Sequence, residues 1–371
     1  MSAGRNQIAI CHQTFMGGDA IGNDIGGMYR VLESMGFEPV VLCEYNPHRL
    51  DQYRVSHSFS AKDLRSYSLI IYHHSQYWEG GARLLEDARA PIVLRFHNIT
   101  PHRFFRDCSP VSADRCEQGE EMTRQLARLS KPHQWLADSQ FNGESLTAAG
   151  VSQDRITVVP PFNRIEHYLK QRNQADYGKG TIDILFVGRF APHKGHLHLL
   201  RIIKALQVDF GVQARLLIAG ACDQEFNEYH REFVNLTFKL QLNGAVFLYQ
   251  HIPQPQIDQL CRDSHVYLCM SEQEGFCVPI IEAQAMGLPI VGTMAGAKKD
   301  TAGPQQLVST IPTGPADYSF YASLVYKVFT EQALRSQVVN RGYLNVITRF
   351  TDEVVENQFT NSILPMLIHG Q

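Results

Sequence analysis

Between residues 266 and 291 the chain reads Val266-Tyr267-Leu268-Cys269-Met270, then Ser271-Glu272-Gln273-Glu274-Gly275-Phe276-Cys277-Val278-Pro279-Ile280-Ile281-Glu282-Ala283-Gln284-Ala285-Met286-Gly287, then Leu288-Pro289-Ile290-Val291. Two short apolar runs bracket a loop and one helix-length segment. Such runs, bounded by turn residues, suit strands buried on both faces of a parallel sheet. Gly275 permits a tight turn and close backbone approach to a ligand. Pro279 suits the first helical position, and Gly287 the position just past the helix end. The amide groups of residues 275 to 280 then gather at a helix N-terminus, where an anion or polyol can bind. Glu274 lies just before that point and Glu282 one turn into the helix. Two carboxylates there can each accept a pair of hydroxyl hydrogens, as a sugar or a ribose offers. The same residues also fit an ordinary strand–loop–helix unit with solvated glutamates.

The same alternation runs through the whole chain. Strand-like runs occur at 7–12, 39–43, 68–74, 91–98, 135–139 and 156–161, and again at 182–188, 214–220, 246–249, 266–270 and 288–291. Strands alternating with helical segments predict doubly wound parallel sheets. The polar stretch 162–181, with Gly178 and Gly180, reads as a linker. A polar helix is expected over about 112–130, helices over 318–347, and an amphipathic terminal helix over 352–367 with apolar positions 354, 355, 359, 363 and 367.

Ligands of open parallel sheets bind beyond the carboxyl ends of the strands. His12, His73, His74, His97 and Asn98 all fall there in the first half. Gly17 and Gly18 precede a helix and could let backbone amides approach a diphosphate, although the loop is neither G-x-G-x-x-G nor a P-loop. Thr100 to Asp107 is basic and aromatic, suiting either a solvated loop or an acceptor or membrane contact. In the second half, Arg189 and Lys194 follow a strand end and precede a helix, and Gly220 ends the next strand. Two cations in that position suit a diphosphate.

Composition excludes other classes. The formal net charge is −3, and no zinc-finger, RNA-binding or basic-arm pattern occurs. The eight cysteines form no C-x-x-C pair and read as free, mostly buried thiols of a reducing compartment. No signal peptide and no apolar run of membrane-spanning length is evident, so a cytoplasmic protein is expected, with peripheral membrane contact left open.

Glu274-Gly275-Phe276-x-x-Pro279-x-x-Glu282-Ala283-x-Ala285-x-Gly287-x-Pro289-Ile290-Val291 resembles the E-x7-E motif of retaining glycosyltransferases of family 4. Gly188-Arg189-Phe190-x-x-x-Lys194-Gly195 resembles that family's second signature. The likeness is specific over most of the second half and looser over the first. It implies the GT-B fold, two Rossmann-like domains facing an interdomain cleft. Domain bounds of 1–165 plus 352–371, on the acceptor side, and 166–351, on the donor side, are expected.

By that resemblance Glu274 and His97 face the donor sugar and Glu282 the ribose, while Arg189 and Lys194 neutralise the leaving diphosphate. Gly17, Gly18, Gly220, Gly275, Phe276 and Cys277 complete the donor site. Cys277 stands where many members carry Gly, which narrows the sugar pocket. The chain has no Asp-x-Asp, so metal-independent transfer is expected, with no cofactor beyond the nucleotide-sugar donor. The expected partner is a glycan or lipid-linked glycan acceptor, as in bacterial surface polysaccharide or glycolipid assembly, and not nucleic acid. A nucleotide-sugar epimerase on the same fold and a non-catalytic nucleotide-sugar-binding subunit are the alternatives.

Overall fold

A computed structural model of the chain describes residues 6–58, 60, 64–129, 133–178, 180–312 and 314–369. The chain divides into two compact units. One comprises residues 1–102, 114–164 and 350–371, and the other 103–113 and 165–349.

In the first unit the strands are β1 (Gln7–Cys11), β2 (Glu38–Leu42), β3 (Val55–Ser56), β4 (Leu69–His74), β5 (Ile92–Phe96), β6 (His133–Ala137) and β7 (Ile156–Val158). They pair in the order β3-β2-β1-β4-β5-β6-β7, every neighbour parallel. In the second unit they are β8 (Thr181–Val187), β9 (Gln213–Ala219), β10 (Val246–Tyr249), β11 (Val266–Cys269), β12 (Ile290–Thr293) and β13 (Leu307–Ser309). Their order is β10-β9-β8-β11-β12-β13, again all parallel. Both sheets therefore reverse winding direction beside their first strand, between β1 and β4 and between β8 and β11. That reversal opens a crevice at the carboxyl edge, where doubly wound sheets place ligands. Strand β12 begins at Ile290 rather than at residue 288. Pro289 has no N–H to give a ladder, and its carbonyl accepts from Tyr267 N instead, at 2.9 Å.

The terminal helix Asp352–His369 buries Val355, Phe359 and Ile363 in the same core as Ile8, Ile10 and Phe162. The apolar stripe read from the sequence thus faces the first unit's sheet. The polar helix of the first half spans Pro110–Ala127, and residue 130, its expected end, lies outside the described residues.

Two stretches differ from their sequence reading. The expected linker at 162–181 carries the helix Ile165–Leu169, with Ile165 and Tyr168 buried. Asn173 then fastens it: its side-chain amide donates to the carbonyls of Cys261, Arg262 and Ser264, and its N–H to Met286 O. Polar composition concealed a segment held by two buried apolar side chains and by the hydrogen bonds of Asn173. Likewise, residues 103–113 pack with the second unit. Phe105 is buried, stacks on Phe226 at 5.5 Å and meets His193 edge-on at 5.6 Å. Ser109 and Ser112 both donate to Glu225. Phe105 is thus spent on packing within that unit, while Phe104 stays half-buried.

Beneath the first crevice lies a buried charge cluster. Arg95, on β5, donates from Nε to Asp24 Oδ2 at 2.8 Å and from Nη1 to Val159 O at 2.6 Å, and its Nη2 pairs with Asp138 Oδ1 at 3.0 Å. Arg95 and Asp24 are fully buried. One guanidinium thus offsets two interior carboxylates, with planar donors that a lysine lacks. Removing it strands both. Arg95→Ala should cost roughly 3–5 kcal/mol, read as a lowered midpoint in urea unfolding, and Arg95→Lys should recover only part of that loss.

Candidate functional site

The second unit collects the cationic and acidic residues singled out in its sequence. β8 ends at Val187, and the loop Gly188 to Gly195 carries Arg189 and Lys194 out over the carboxyl edge. β11 ends at Cys269 beside it, and the loop 270–277 carries Glu274. Lys194 Nζ donates to both oxygens of Glu274, at 2.8 Å each. The Glu274 side chain is 9% exposed and that of Lys194 19%. Burial opposes the charge on Glu274, but the Lys194 ammonium, aided by Lys298, outweighs it and holds the carboxyl below its usual range. Burial likewise opposes the charge on Lys194, and Glu274 overrides it and raises the ammonium. Residues with separate expected roles therefore grip one another.

Several side chains missed by the sequence reading build the loop around Glu274. Lys298 is fully buried and donates to Ser271 O and Thr293 Oγ1. In Lys298-Lys299-Asp300 it reads as one more solvated charge. Gly296, at φ 63°, lies against Glu274: a Cβ there would sit 2.7 Å from Glu274 N and closer still to its carbonyl. Ala297 N donates to Glu274 O at 3.0 Å. Gly220 has a similar reason to be glycine, since a Cβ would collide with the Gly188 carbonyl.

The helix after the loop spans Val278–Met286, with Pro279 at its second position and Gly287 at φ 79° as its C-cap. Cys277 caps its start at φ 72°, ψ 63°, a left-handed conformation unusual for a side chain with a Cβ. Its preceding neighbours Gly275 and Phe276 lie in the same loop. Phe276 is buried, and its carbonyl accepts from Thr301 Oγ1. Glu282 is half-buried on the fifth residue of the helix. Arg189 is exposed, 3.5 Å from Asp223, with its guanidinium 5.6 Å from the Phe226 ring centre. Burial, and then the charges of Lys194 and Arg189, push the His193 imidazole well below its ordinary range. Both cations therefore act on one neighbourhood.

In the first unit, His97 follows β5 and donates from Nδ1 to Asp138 Oδ2 at 2.9 Å. With that proton on Nδ1, Nε2 accepts from His73 Nδ1 at 2.7 Å. Asp24 Oδ2 stands 3.7 Å from His97 and 3.9 Å from His73. His73 is held well below its ordinary range by burial and by His97. His12 and His74, both buried, fall to about 4 for the same first reason, and are structural neutral imidazoles. The N–H of Gly17 donates to His48 Nδ1, and Asp19 caps the following helix by accepting from Gly22 N. Gly18 is open, at φ 94°.

Among the described residues, two groups bring three possible metal-ligand atoms within 4.8 Å: Asp24, His73 and His97, and Cys269, Glu274 and Cys277. In each, a cation already holds the carboxylate, Arg95 on Asp24 and Lys194 on Glu274, which favours an ion pair over a metal ligand. No helix among the described residues is long and apolar enough to cross a membrane.

Residues 169–344 match the family of glycosyl transferases group 1. The matched stretch includes Arg189, Lys194, Glu274 and Glu282. The chain is 25% identical over 299 residues to the D-inositol 3-phosphate glycosyltransferase of Nocardia farcinica, covering 77% of this chain and 63% of that one. It is 25% identical over 170 residues to the capsular polysaccharide biosynthesis glycosyltransferase CapM of Staphylococcus aureus, covering 46% and 42%. The chain thus spans less than two thirds of the length of these curated relatives. Among solved structures, Anabaena HepE in complex with UDP-glucose superposes with a TM-score of 0.76 at 18% identity, covering 96% of this chain and 99% of that one. The fold is that of GT-B glycosyltransferases: two Rossmann-like units, each with a parallel sheet.

The Lys194–Glu274 pair sets a pH window. The depressed Glu274 carboxyl adds stability above its unfolded value near 4.5, lost as pH falls through the folded value. The raised Lys194 adds stability below 10.5, lost as pH rises through its folded value. Glu274→Gln should therefore flatten the acid limb of Tm against pH below about 4.5. A limb as steep as in the wild type would show that the pair is not ionised. Gly296→Ala should push on the Glu274 backbone and cost roughly 1–3 kcal/mol, read by denaturant unfolding.

Proposed function

We propose that the chain is a retaining glycosyltransferase that moves a hexose-type sugar from a nucleoside-diphosphate sugar to a hydroxyl acceptor, without a metal. The observation that carries this reading is the Lys194–Glu274 pair, with its carboxylate buried and its ammonium half-buried, set at the crevice of a parallel sheet within the stretch that matches glycosyl transferases group 1. A lysine held charged beside a strand end can meet a diphosphate, and a carboxylate beside it can meet sugar hydroxyls. Arg189, on the same loop and exposed, adds a second cation for the leaving group. Glu282 is assigned to the ribose hydroxyls. HepE, of the same fold, is described with UDP-glucose bound, and CapM with capsular polysaccharide biosynthesis. They favour a nucleotide-sugar donor and a glycan or glycolipid acceptor, met in the cytoplasm.

Because cations at the strand ends stand where a metal would, turnover should survive EDTA. Activity lost in EDTA and restored by magnesium or manganese would contradict the metal-free reading. A thermal-shift screen of UDP-, GDP-, ADP- and dTDP-sugars identifies the donor, since a ligand of the folded state raises Tm. Release of the free nucleoside diphosphate should then depend on added acceptor.

The two glutamates should separate. Glu282→Ala removes a charge-assisted contact worth about 1.5–3 kcal/mol, so calorimetry should show weaker binding of donor and bare nucleoside diphosphate alike. Glu274→Gln should lower kcat while leaving affinity for the bare diphosphate nearly intact, because its contact matters most when charge develops at the sugar. Equal losses of nucleotide affinity in both variants would remove the division of roles.

A further inference from the structure

The two cysteines that flank the Glu274 loop are placed as a reactive pair. Cys269 is the last residue of β11, and Cys277 is the residue before the helix Val278–Met286. Both are free and buried, and their sulfurs lie 3.9 Å apart. Between them runs the loop that holds Glu274 against Lys194. One end, Cys269, is fixed in the middle of a sheet between β8 and β12. The other, Cys277, is already in a left-handed backbone conformation, at φ 72°. The pair also has an activating neighbour. The hydrogen bond from Cys277 draws the Cys269 thiol down, burial resists, and the Lys298 ammonium adds to the lowering, leaving it at about 6. The same contact, together with burial, pushes the Cys277 thiol up. Cys11, in contrast, is driven toward the neutral thiol by burial and by Cys43.

We propose that Cys269 and Cys277 form a reversible disulfide under hydrogen peroxide, and that this bond displaces the loop 270–277 together with the amide groups at the helix start, and so weakens nucleotide binding. The second half rests on the donor-site reading given above. In the reaction both S–H bonds and the O–O bond break, one S–S bond forms, and two waters leave. The sulfurs are oxidised and the peroxide is reduced. A disulfide requires a sulfur separation of about 2.05 Å, so the sulfurs must approach from 3.9 Å. Since β11 is held on both sides, the loop and the helix start take up the movement. That strains the contacts fixing the loop: Lys194 on Glu274, Ala297 N on the Glu274 carbonyl, and Thr293 on the Ser271 carbonyl.

The test uses the full chain, oxidised with hydrogen peroxide, then alkylated, digested and examined by mass spectrometry. A peptide linked through Cys269 and Cys277, short of two hydrogens and released by dithiothreitol, is the expected result. Cys269→Ser should abolish that link. Calorimetry with whichever of UDP, GDP, ADP and dTDP raises Tm most should show affinity falling by about tenfold or more on oxidation, given that displacements near 1 Å can cost a hundredfold. Dithiothreitol should restore it in the wild type, and Cys269→Ser should not respond to peroxide. Both cysteines remaining alkylatable, or oxidised singly without a link, would overturn the disulfide. A link with unchanged affinity would overturn its effect on the site. If no nucleotide binds the reduced protein, the donor-site reading fails, and the mass measurement still decides the disulfide.

Discussion

An ionised carboxylate in the interior of a protein costs several kcal/mol unless a counter-charge or hydrogen-bond donors meet it, and the second unit is arranged around supplying cations to Glu274. Lys194 supplies the charge from a neighbouring strand end, and Lys298 supplies a second from behind the loop. Each requires further structure. Lys298 needs acceptors, which Ser271 and Thr293 provide. The loop must come close enough for Lys194 to reach, which leaves room only for glycine at residue 296. The first unit meets the same condition with one arginine between two aspartates. In both, charge is concentrated where parallel strands end, because there the backbone stops supplying its own hydrogen-bond partners and side chains must take over.

Much of the architecture was legible because its signals are local. Short apolar runs gave the strands, Gly287 marked a helix end, and the stripe 355, 359, 363 placed the terminal helix. The edge strands Val55–Ser56 and Leu307–Ser309 were not, being too short to carry a period. The site was legible in its residues but not in its pairings. Lys194 and Glu274 are eighty positions apart, and no spacing rule joins them. Asp24, Arg95 and Asp138 form one cluster from a helix and two strand ends. Lys298 and Gly296 were overlooked because a lysine in a charged run and a glycine in a loop carry no mark of burial.

Cys277 illustrates how a single position combines two demands. A glycine would adopt its backbone conformation without strain, and a residue with a Cβ occupies it at a cost of order 1 kcal/mol. Strain of this kind persists where surrounding contacts over-determine the backbone. Here Thr301 holds the preceding carbonyl, and Ile280 N returns to the Cys277 carbonyl at 3.1 Å. What the side chain adds is a sulfur directed at its counterpart on β11.

The chain passes between its two units at residues 102–103, 113–114, 164–165 and 349–350. Neither unit is therefore a continuous piece of sequence. A fragment ending near residue 164 would lack the terminal helix that covers Ile8 and Phe162, and it would carry Phe105 without the aromatic pair that buries it. The second unit expressed alone from residue 165 would lack residues 103–113 in turn. Such an interlaced connectivity resists the exchange of whole domains by simple gene fusion, because a crossover at any single point leaves at least one unit without a piece of its own chain.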